Sequence, residues 1–317
     1  MIVLLLVFGI IDFMMGIFMI PEDIHSFRVA HPYYHHDLMP EQKVRTTWDN
    51  QLYYTFYTNS LGFRDDACRK VELHPEKKRI LFIGDSHTEG VGVEYPDTFA
   101  GLIDQWYSRD GVEVLNASAV SYSPKLYFYK TKYLIEQKGL GFDELVVCID
   151  ISDVQNELVY QDFEPQIQSA WQKAFYDVCR FWKKHSFSCH AISGILERQK
   201  LDHFYKLARR DVKNPKTDLY ATFFDQFYDS ELLAREEFHN IAYWYLDKMT
   251  FERWGREGFI LEKWYMTRLA DLCKEHGIKM HVCVYPWPLQ LLKGDFNSIQ
   301  VQFWELFCEQ NDVHFIN

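Results

Sequence analysis

The feature that most constrains the fold is the segment at residues 79–90, which reads RILFIGDSHTEG. Residues 80–83 form a short apolar run of the kind that becomes a buried β-strand, and small polar residues follow it directly. Open α/β sheets bind their ligands at the carboxyl ends of the strands, so Ser86 is a candidate nucleophile. A serine in such a turn can equally cap a helix, and both interpretations stay open at this point.

Strands and helices alternate along much of the chain after this segment. We predict further strands at residues 112–115, 145–149, 278–284 and 313–316. We predict helices at residues 98–106, 125–137, 257–276 and 298–309. This alternation is typical of an α/β fold, with a parallel sheet, helices on both faces and right-handed crossovers between the strands.

Four segments resemble motifs of the SGNH/GDSL hydrolase superfamily, and they follow one another along the chain in the order found in that superfamily. They are GDS at residues 84–86, YTNSLGFRD at 57–65, VLNASAVSYSP at 114–124 and FDELVVCIDISD at 142–153. The resemblance is strong over residues 58–153 and continues more weakly to the YPWP segment at 285–288. It implies a three-layer α/β sandwich with a mostly parallel, flavodoxin-like sheet.

The resemblance also implies a serine esterase mechanism that needs no cofactor and no metal. Ser86 would be the nucleophile, with Asp85 as a supporting residue. The oxyanion donors would be the backbone N–H of Ser86, a backbone N–H at Ser118 or Ala119, and the Ser152 side chain, which stands where the family has an asparagine. Residues expected to line the substrate site are Asn116, Asp153 and Trp287, of which Asn116 and Asp153 also suit structural roles.

The general base is the missing part of this pattern. The family carries an Asp-x-x-His pair after its last strand, and residue 317 lies within the last predicted strand. We therefore expect the chain to be a fragment that is cut before this pair. His87 follows Ser86 directly and is expected to point away from it. Asp312 and His314 have the D-x-H spacing that some polysaccharide-acetylating relatives use, but they lie at the start of a strand, on one face.

The first twenty residues are almost wholly apolar, interrupted by Asp12 and two glycines. A helix of this length rises about 30 Å, which is enough to cross a bilayer. We predict a membrane anchor, with a cleaved signal segment and a buried core helix as alternatives. Because no Lys or Arg lies close to this run, we expect the globular part to be extracytoplasmic, in the periplasm or at the cell surface.

Composition restricts the partners and the metal sites. The net charge of −11 argues against nucleic acid binding, which needs a basic surface. The seven cysteines include no C-x-x-C pair, so a zinc site of that type is not expected. The histidine-rich stretch at residues 31–37 suggests a metal site, but its proline and its lack of helical context favour structural histidines.

The chain divides into three parts in this interpretation. Residues 1–20 are an anchor or signal segment, residues 21–57 a linker that packs on the domain, and residues 58–317 the α/β domain. At about residues 156–255, aromatic and basic residues with apolar positions at helical spacing replace the alternation. This pattern predicts a helical insertion within the domain.

The functional prediction is a serine esterase, acyl hydrolase or O-acyltransferase of the SGNH type. It would act outside the cytoplasm on acyl esters of a carbohydrate. One alternative is a catalytically inactive SGNH-like domain that binds a polysaccharide or organises other proteins. Another is a lipid-ester hydrolase that works at the membrane. The altered second and third segments favour the inactive domain, whereas the retained GDS triplet favours the enzyme.

Overall fold

The computed structural model describes residues 2–19, 27–48, 52–167, 170–189, 191–192, 243–246, 251–287, 290–291 and 294–317. The chain forms two compact units, one built from Met1–Asp23 and Gln166–Leu232, the other from Ile24–Pro165 and Leu233–Asn317. The second unit contains the β-sheets and every residue of the candidate site.

Ten strands lie in the described part of the second unit. A two-stranded antiparallel sheet pairs β1 (Arg28–His31) with β2 (His35–Leu38). The other eight form one sheet: β3 (Lys43–Thr47), β4 (Tyr53–Thr58), β5 (Arg64–Asp65), β6 (Arg79–Ile83), β7 (Glu113–Asn116), β8 (Glu144–Ile149), β9 (Lys279–Val284) and β10 (His314–Ile316).

The order of the large sheet is β10-β9-β8-β6-β7-β5-β4-β3, and its first five strands are parallel. Numbered by their succession along the chain, the parallel strands have the flavodoxin-like order 2-1-3-4-5. This confirms the predicted fold class. The order reverses between β6 and β8, and such a topological switch point is where open α/β sheets bind ligands.

The described residues include the following α-helices. They are α1 (Ile2–Met19), α2 (Ser86–Glu89), α3 (Phe99–Tyr107), α4 (Pro124–Glu136), α5 (Asp153–Tyr160), α6 (Ala170–His185), α7 (Tyr243–Leu246), α8 (Arg256–Glu275) and α9 (Ile299–Asn311). The four helices predicted from the alternation correspond to α3, α4, α8 and α9, and their ends agree within two residues.

Both faces of the parallel strands are buried. Leu81 and Ile83 of β6 pack into a cluster with residues of α4, α8 and α9. Ile80 and Phe82 face the other way and pack with Ile103 of α3. Successive residues of a strand point to opposite faces, so helices must cover both sides of the sheet. The core is therefore the three-layer sandwich that the sequence predicted.

The prediction that residues 21–57 form a linker is wrong for the part of this range that the structure describes. Its chain forms β1 to β4, and β3 to β5 extend the parallel sheet with antiparallel strands. Four residues anchor these strands by forming a small buried cluster: Phe27, Leu38, Tyr54 and Phe56. β1 to β3 have four or five residues and few apolar side chains, so they carry too little apolar alternation to be recognised. β4 is rich in tyrosine, phenylalanine and threonine, which are common in strands, and this signal was missed.

The segment that resembles N-x-x-G-F-R-D forms a tight turn between β4 and β5. Asn59 Oδ1 accepts hydrogen bonds from the N–H groups of Leu61 and Phe63, at 3.0 and 3.2 Å. Gly62 adopts a φ of 79°, which glycine tolerates best. Arg64 is fully buried, with its guanidinium carbon 4.0 Å from the centre of the Phe56 ring. These contacts fix the antiparallel strands against β7.

The first unit contains α1, which packs against α6. The carboxylate of Asp12, in the middle of α1, accepts hydrogen bonds from Ser186 Oγ at 2.5 Å and from the Ser188 N–H at 2.8 Å. Among the residues that the structure describes, no helix is long and apolar enough to span a membrane. The anchor at residues 1–20 stays a prediction from the sequence.

The predicted insertion at residues 156–255 is helical over most of the part that the structure describes. The described helical parts are most of α5, then α6, α7 and a π-helical turn at Phe251–Gly255. Residues 193–242, the centre of the predicted insertion, lie outside the described residues. The second unit leaves off at Pro165 and resumes at Leu233, which is a shorter interruption than the prediction.

Candidate functional site

Ser86 follows β6 at the switch point of the sheet. It is the first residue of α2 and is partly exposed. A Cβ at Gly84 would lie 2.2 Å from Thr88 Oγ1, so only glycine lets α2 turn back this closely over the end of β6. The Ser86 hydroxyl donates a hydrogen bond to Asp85 Oδ2 at 3.1 Å. The sequence therefore presents this hydroxyl to solvent at the position where such sheets bind ligands.

Asp85 is buried beside the serine and caps α2. Its Oδ1 accepts hydrogen bonds from the His87 N–H at 2.9 Å and from the Tyr285 hydroxyl at 2.8 Å. Burial alone would raise its pKa, but the interactions with His87 and Asp150 outweigh it and lower the pKa of Asp85 to about 2. Asp85 is therefore an ionised structural partner of Ser86 and too weak a base to take its proton.

Asp150 is a second buried carboxylate, directly after β8. Its Oδ1 accepts hydrogen bonds from Trp287 Nε1 at 2.5 Å and from the Ser152 N–H at 2.9 Å. Burial, followed by the negative charge of Asp85, raises the pKa of Asp150 to about 7. The two carboxylates therefore lie close enough for one to oppose the ionisation of the other.

His87 places its imidazole between these two carboxylates. Its Nδ1 lies 3.0 Å from Asp150 Oδ2 and 3.7 Å from Asp85 Oδ2. Desolvation opposes the charged form, but the two nearby carboxylates of Asp150 and Asp85 prevail and raise the pKa of His87 to about 10. In the metal-free protein the ring is protonated at neutral pH, so His87 is not a general base for Ser86.

The turn after β7 does not offer the predicted oxyanion donors. The Ser118 N–H donates to Asn116 Oδ1 at 3.1 Å, and the Ala119 N–H donates to the Gly84 carbonyl at 3.3 Å. Asn116 is fully buried and its Nδ2 donates to the Thr88 carbonyl at 2.6 Å. These three residues hold the turn against α2, and the roles predicted for them in oxyanion binding and substrate lining are corrected accordingly.

The turn after β8 contains Ser152 and Asp153, and the structure treats the roles predicted for them differently. Ser152 is buried and its N–H is used by Asp150, so the side chain is the part left for its predicted role as a donor. Asp153 is fully buried and accepts hydrogen bonds from the Tyr127 hydroxyl at 2.9 Å and the Asp150 N–H at 3.2 Å. Asp153 is therefore structural rather than a substrate-lining residue. Trp287 does lie at the site, with its ring centre 6.0 Å from that of His87.

Asp312 and His314 lie elsewhere on the sheet. Asp312 ends α9 in a left-handed conformation, and His314 opens β10. The Nδ1 atoms of His314 and His281 are 3.1 Å apart, and His281 binds Glu144, the first residue of β8. Asp312 and His314 therefore lie at the amino ends of the parallel strands, whereas Ser86 lies at the carboxyl ends. Within the described residues no histidine forms a hydrogen bond with the Ser86 hydroxyl.

Asp150 and Tyr285 are the site residues that the sequence analysis missed. Both come directly after a parallel strand, β8 and β9 respectively, next to the switch point. That position is a usable signal, because the carboxyl ends of parallel strands meet at one edge of the sheet. The hydrogen bonds that join them to Asp85 and Trp287 depend on side-chain orientation, which strand order alone does not reveal.

No protein-family model and no curated protein matches the sequence of this chain. Among solved structures it is similar to AlinE4, an SGNH-hydrolase family esterase, at 8% identity and a TM-score of 0.36, with 77% of each chain covered. TesA is similar at 8% identity and a TM-score of 0.36, with 75% of this chain and 77% of TesA covered.

A third similar structure is a catalytic mutant of Axe2, an acetylxylan esterase from Geobacillus stearothermophilus. Its identity is 12% and its TM-score 0.33, with 78% of each chain covered. Values this low carry no functional argument, so the assignment of the fold depends on the chain's own strand order. With the GDS triplet at the switch point of a flavodoxin-like sheet, the chain has the α/β fold that its resemblance to the SGNH/GDSL hydrolases implied.

Proposed function

We propose that this chain is a serine ester hydrolase whose nucleophile is Ser86. The observation that carries the proposal is a partly exposed hydroxyl at the switch point, hydrogen-bonded to a buried carboxylate. The Ser86 N–H is the first of its helix and therefore has no acceptor within that helix. It is a suitable donor to the oxygen that becomes negative when an ester carbonyl is attacked.

The reaction has two halves. In the first, Ser86 Oγ bonds to the carbonyl carbon of the ester, the bond from that carbon to the alcohol oxygen breaks, and the serine proton ends on the departing alcohol. In the second, a water oxygen bonds to the acyl carbon, the bond to Oγ breaks and one water proton returns to Ser86. Asp85 accepts from the resting hydroxyl and so orients it before attack.

The finer part of the proposal concerns the substrate and the acceptor. Tyr285 and Trp287 lie beside His87, and aromatic rings of this kind stack on sugar faces. We infer an acyl ester of a carbohydrate as substrate, with transfer to a sugar hydroxyl as the alternative fate of the acyl group. An extracytoplasmic location is proposed on the sequence argument alone, from the lack of basic residues beside the apolar first twenty.

A non-catalytic binding domain is the second candidate. Two observations favour it: the backbone donors of Ser118 and Ala119 are already used, and the described residues include no histidine bonded to Ser86. In that case the same cleft would bind an acylated polymer without cleaving it.

Turnover of p-nitrophenyl acetate by the full chain separates the two candidates. The matched control is Ser108→Ala, which removes an exposed serine hydroxyl at the end of α3. We expect Ser86→Ala to reduce turnover by about 1000-fold or more and the control to retain it. Equal turnover by the wild type and Ser86→Ala would refute the nucleophile. No turnover by the wild type, together with binding of an acetylated polysaccharide, would favour the binding domain.

A further inference from the structure

Three atoms of the metal-ligating kind converge beside Ser86. Asp85, His87 and Asp150 each offer one such atom, which in His87 is an imidazole nitrogen, and the three atoms all lie within 4.8 Å of one another. The nitrogen is 3.0 Å from one carboxylate oxygen and 3.7 Å from the other. Zn²⁺ binds such atoms at about 2.1 Å, which places tetrahedral ligands about 3.4 Å apart. The observed separations of the nitrogen from the two oxygens lie on either side of that value.

The second oxygen of each carboxylate is held in place by two protein donors. Asp85 Oδ1 accepts from the Tyr285 hydroxyl and the His87 N–H. Asp150 Oδ1 accepts from Trp287 Nε1 and the Ser152 N–H. Both Oδ2 atoms are thereby directed toward the imidazole. Hydrogen bonds that orient ligating side chains in this way are a regular part of protein metal sites.

Asp150 Oδ2 is an independent sign that the cluster lacks a component. The residue is 1% exposed, and this oxygen has no hydrogen-bond partner. His87 Nδ1 is close to it, at 3.0 Å, but the contact lacks the alignment of a hydrogen bond. A buried carboxylate oxygen without a donor is costly, because it has given up water without a replacement. A cation between the two carboxylates would supply that interaction.

We propose that Asp85, His87 and Asp150 bind one divalent zinc ion, which takes the place of the proton on His87 Nδ1 and releases that proton to solvent. One imidazole nitrogen with two carboxylate oxygens is a ligand set suited to zinc, whereas Mg²⁺ and Ca²⁺ prefer oxygen alone. Three protein ligands leave a fourth position for water or another small ligand. The His87 side chain is 48% exposed and provides the route of entry. The site differs from the metal-free expectation drawn from the sequence, and it does not depend on the esterase proposal.

The test is a zinc titration of the full chain after treatment with EDTA and dialysis, with a chromophoric chelator as competitor and no ester present. We expect one Zn²⁺ per chain at a site that Asp150→Asn and His87→Ala each weaken by more than about 100-fold. Trp287→Phe removes only a donor to Asp150 Oδ1 and should weaken binding by about 10-fold. The asparagine keeps an oxygen acceptor for Trp287 and Ser152, so the fold is expected to persist.

The matched control is His276→Ala, which removes an exposed histidine beyond the end of α8. It should leave the zinc affinity unchanged. Replacement of zinc by Co²⁺ gives a second readout, since a visible absorption band that is lost in His87→Ala reports coordination by that imidazole. Absence of zinc binding by the wild type would overturn the proposal. Equal affinity in the wild type, His87→Ala and Asp150→Asn would overturn it as well, because the ion would then be bound elsewhere.

Discussion

Two turns of similar composition follow neighbouring parallel strands, and they differ in what they expose. The turn after β6 carries the partly exposed Ser86, whose hydroxyl donates a hydrogen bond to the buried carboxylate of Asp85. Asn116 ends β7 and Ser118 lies in the turn after it, and both are fully buried. The Asn116 side chain accepts from the Ser118 N–H and donates to the Thr88 carbonyl of α2. Small polar residues after a strand therefore do not by themselves mark a site.

The position of each turn in the sheet explains the difference. β6 and β8 flank the switch point, where the chain departs in opposite directions and leaves a crevice. β7 lies on the other side of β6 and is followed by β5, so its carboxyl end is packed against Arg64 and α2. The open turn supplies reacting groups, and the closed turn supplies the scaffold that holds them. Substitutions in the two turns should therefore have different consequences.

The largest effect is expected from Gly84→Ala, at the root of the open turn. The added methyl group would lie 2.2 Å from Thr88 Oγ1 and 3.1 Å from the Cys148 carbonyl, so α2 has to move. We expect the free energy of unfolding to fall by about 3 kcal/mol, measured by urea denaturation. Gly141→Ala is the control, because its methyl group would make an ordinary contact of 3.4 Å. A similar small loss in both variants would show that α2 does not pack as described.

The contrast between the turns is tested next by comparing stability. Asn116→Ala leaves the Ser118 N–H and the Thr88 carbonyl without partners in a buried position. We expect the free energy of unfolding to fall by about 2 kcal/mol. Ser86→Ala removes a partly exposed hydroxyl, and we expect a change of about 0.5 kcal/mol or less. Equal losses in the two variants, measured by urea denaturation, would contradict the division between scaffold and open turn.

The electrostatics of the open turn can be tested through the pKa of His87. The pKa of His87 is raised to about 10 by Asp150 and Asp85 against the opposing cost of burial. In the metal-free protein, Asp150→Asn should lower that pKa, because one negative partner is lost. Titration of the imidazole signals by NMR measures both values. An unchanged pKa in the variant, or a wild-type value near 6.5, would contradict the ion pairs described for His87.

The same residue also makes the stability of the metal-free protein depend on pH. Its pKa in the folded chain, about 10, exceeds the ordinary value of 6.5, so folding favours the protonated ring. The stabilisation is fully present below pH 6.5 and is lost as the pH rises through about 10. The urea midpoint of the wild type should therefore fall more between these limits than that of His87→Asn. If the urea midpoints of the wild type and His87→Asn changed equally with pH, the protonation of His87 would not be coupled to folding.

The sequence predicted the parts of the fold that depend on local pattern. The buried run at residues 80–83 and the alternation after it were sufficient for the sheet, its helices and the position of Ser86. β1 to β3 were missed because they are short and mostly polar, so their burial depends on partners distant in the chain. The Asp85–His87–Asp150 cluster was missed because it forms only when β6 and β8 lie side by side.

The closed turn after β7 shows a second limit of sequence reasoning. A backbone N–H at Ser118 or Ala119 is a potential donor in any sequence, and whether it is free depends on its neighbours. Here Asn116 Oδ1 and the Gly84 carbonyl accept from these groups. The resemblance located the segment correctly, but only three-dimensional contacts decide which of its donors remain available to a substrate.

Labelling of the full chain with a fluorophosphonate, followed by mass spectrometry of its peptides, tests the central claim most directly. The reagent modifies serines that are both accessible and nucleophilic. The account predicts one phosphonylated residue, Ser86, and loss of the label in Ser86→Ala but not in Ser108→Ala. A label on a different serine, or no label on Ser86 at reagent concentrations that modify a known serine esterase, would contradict it.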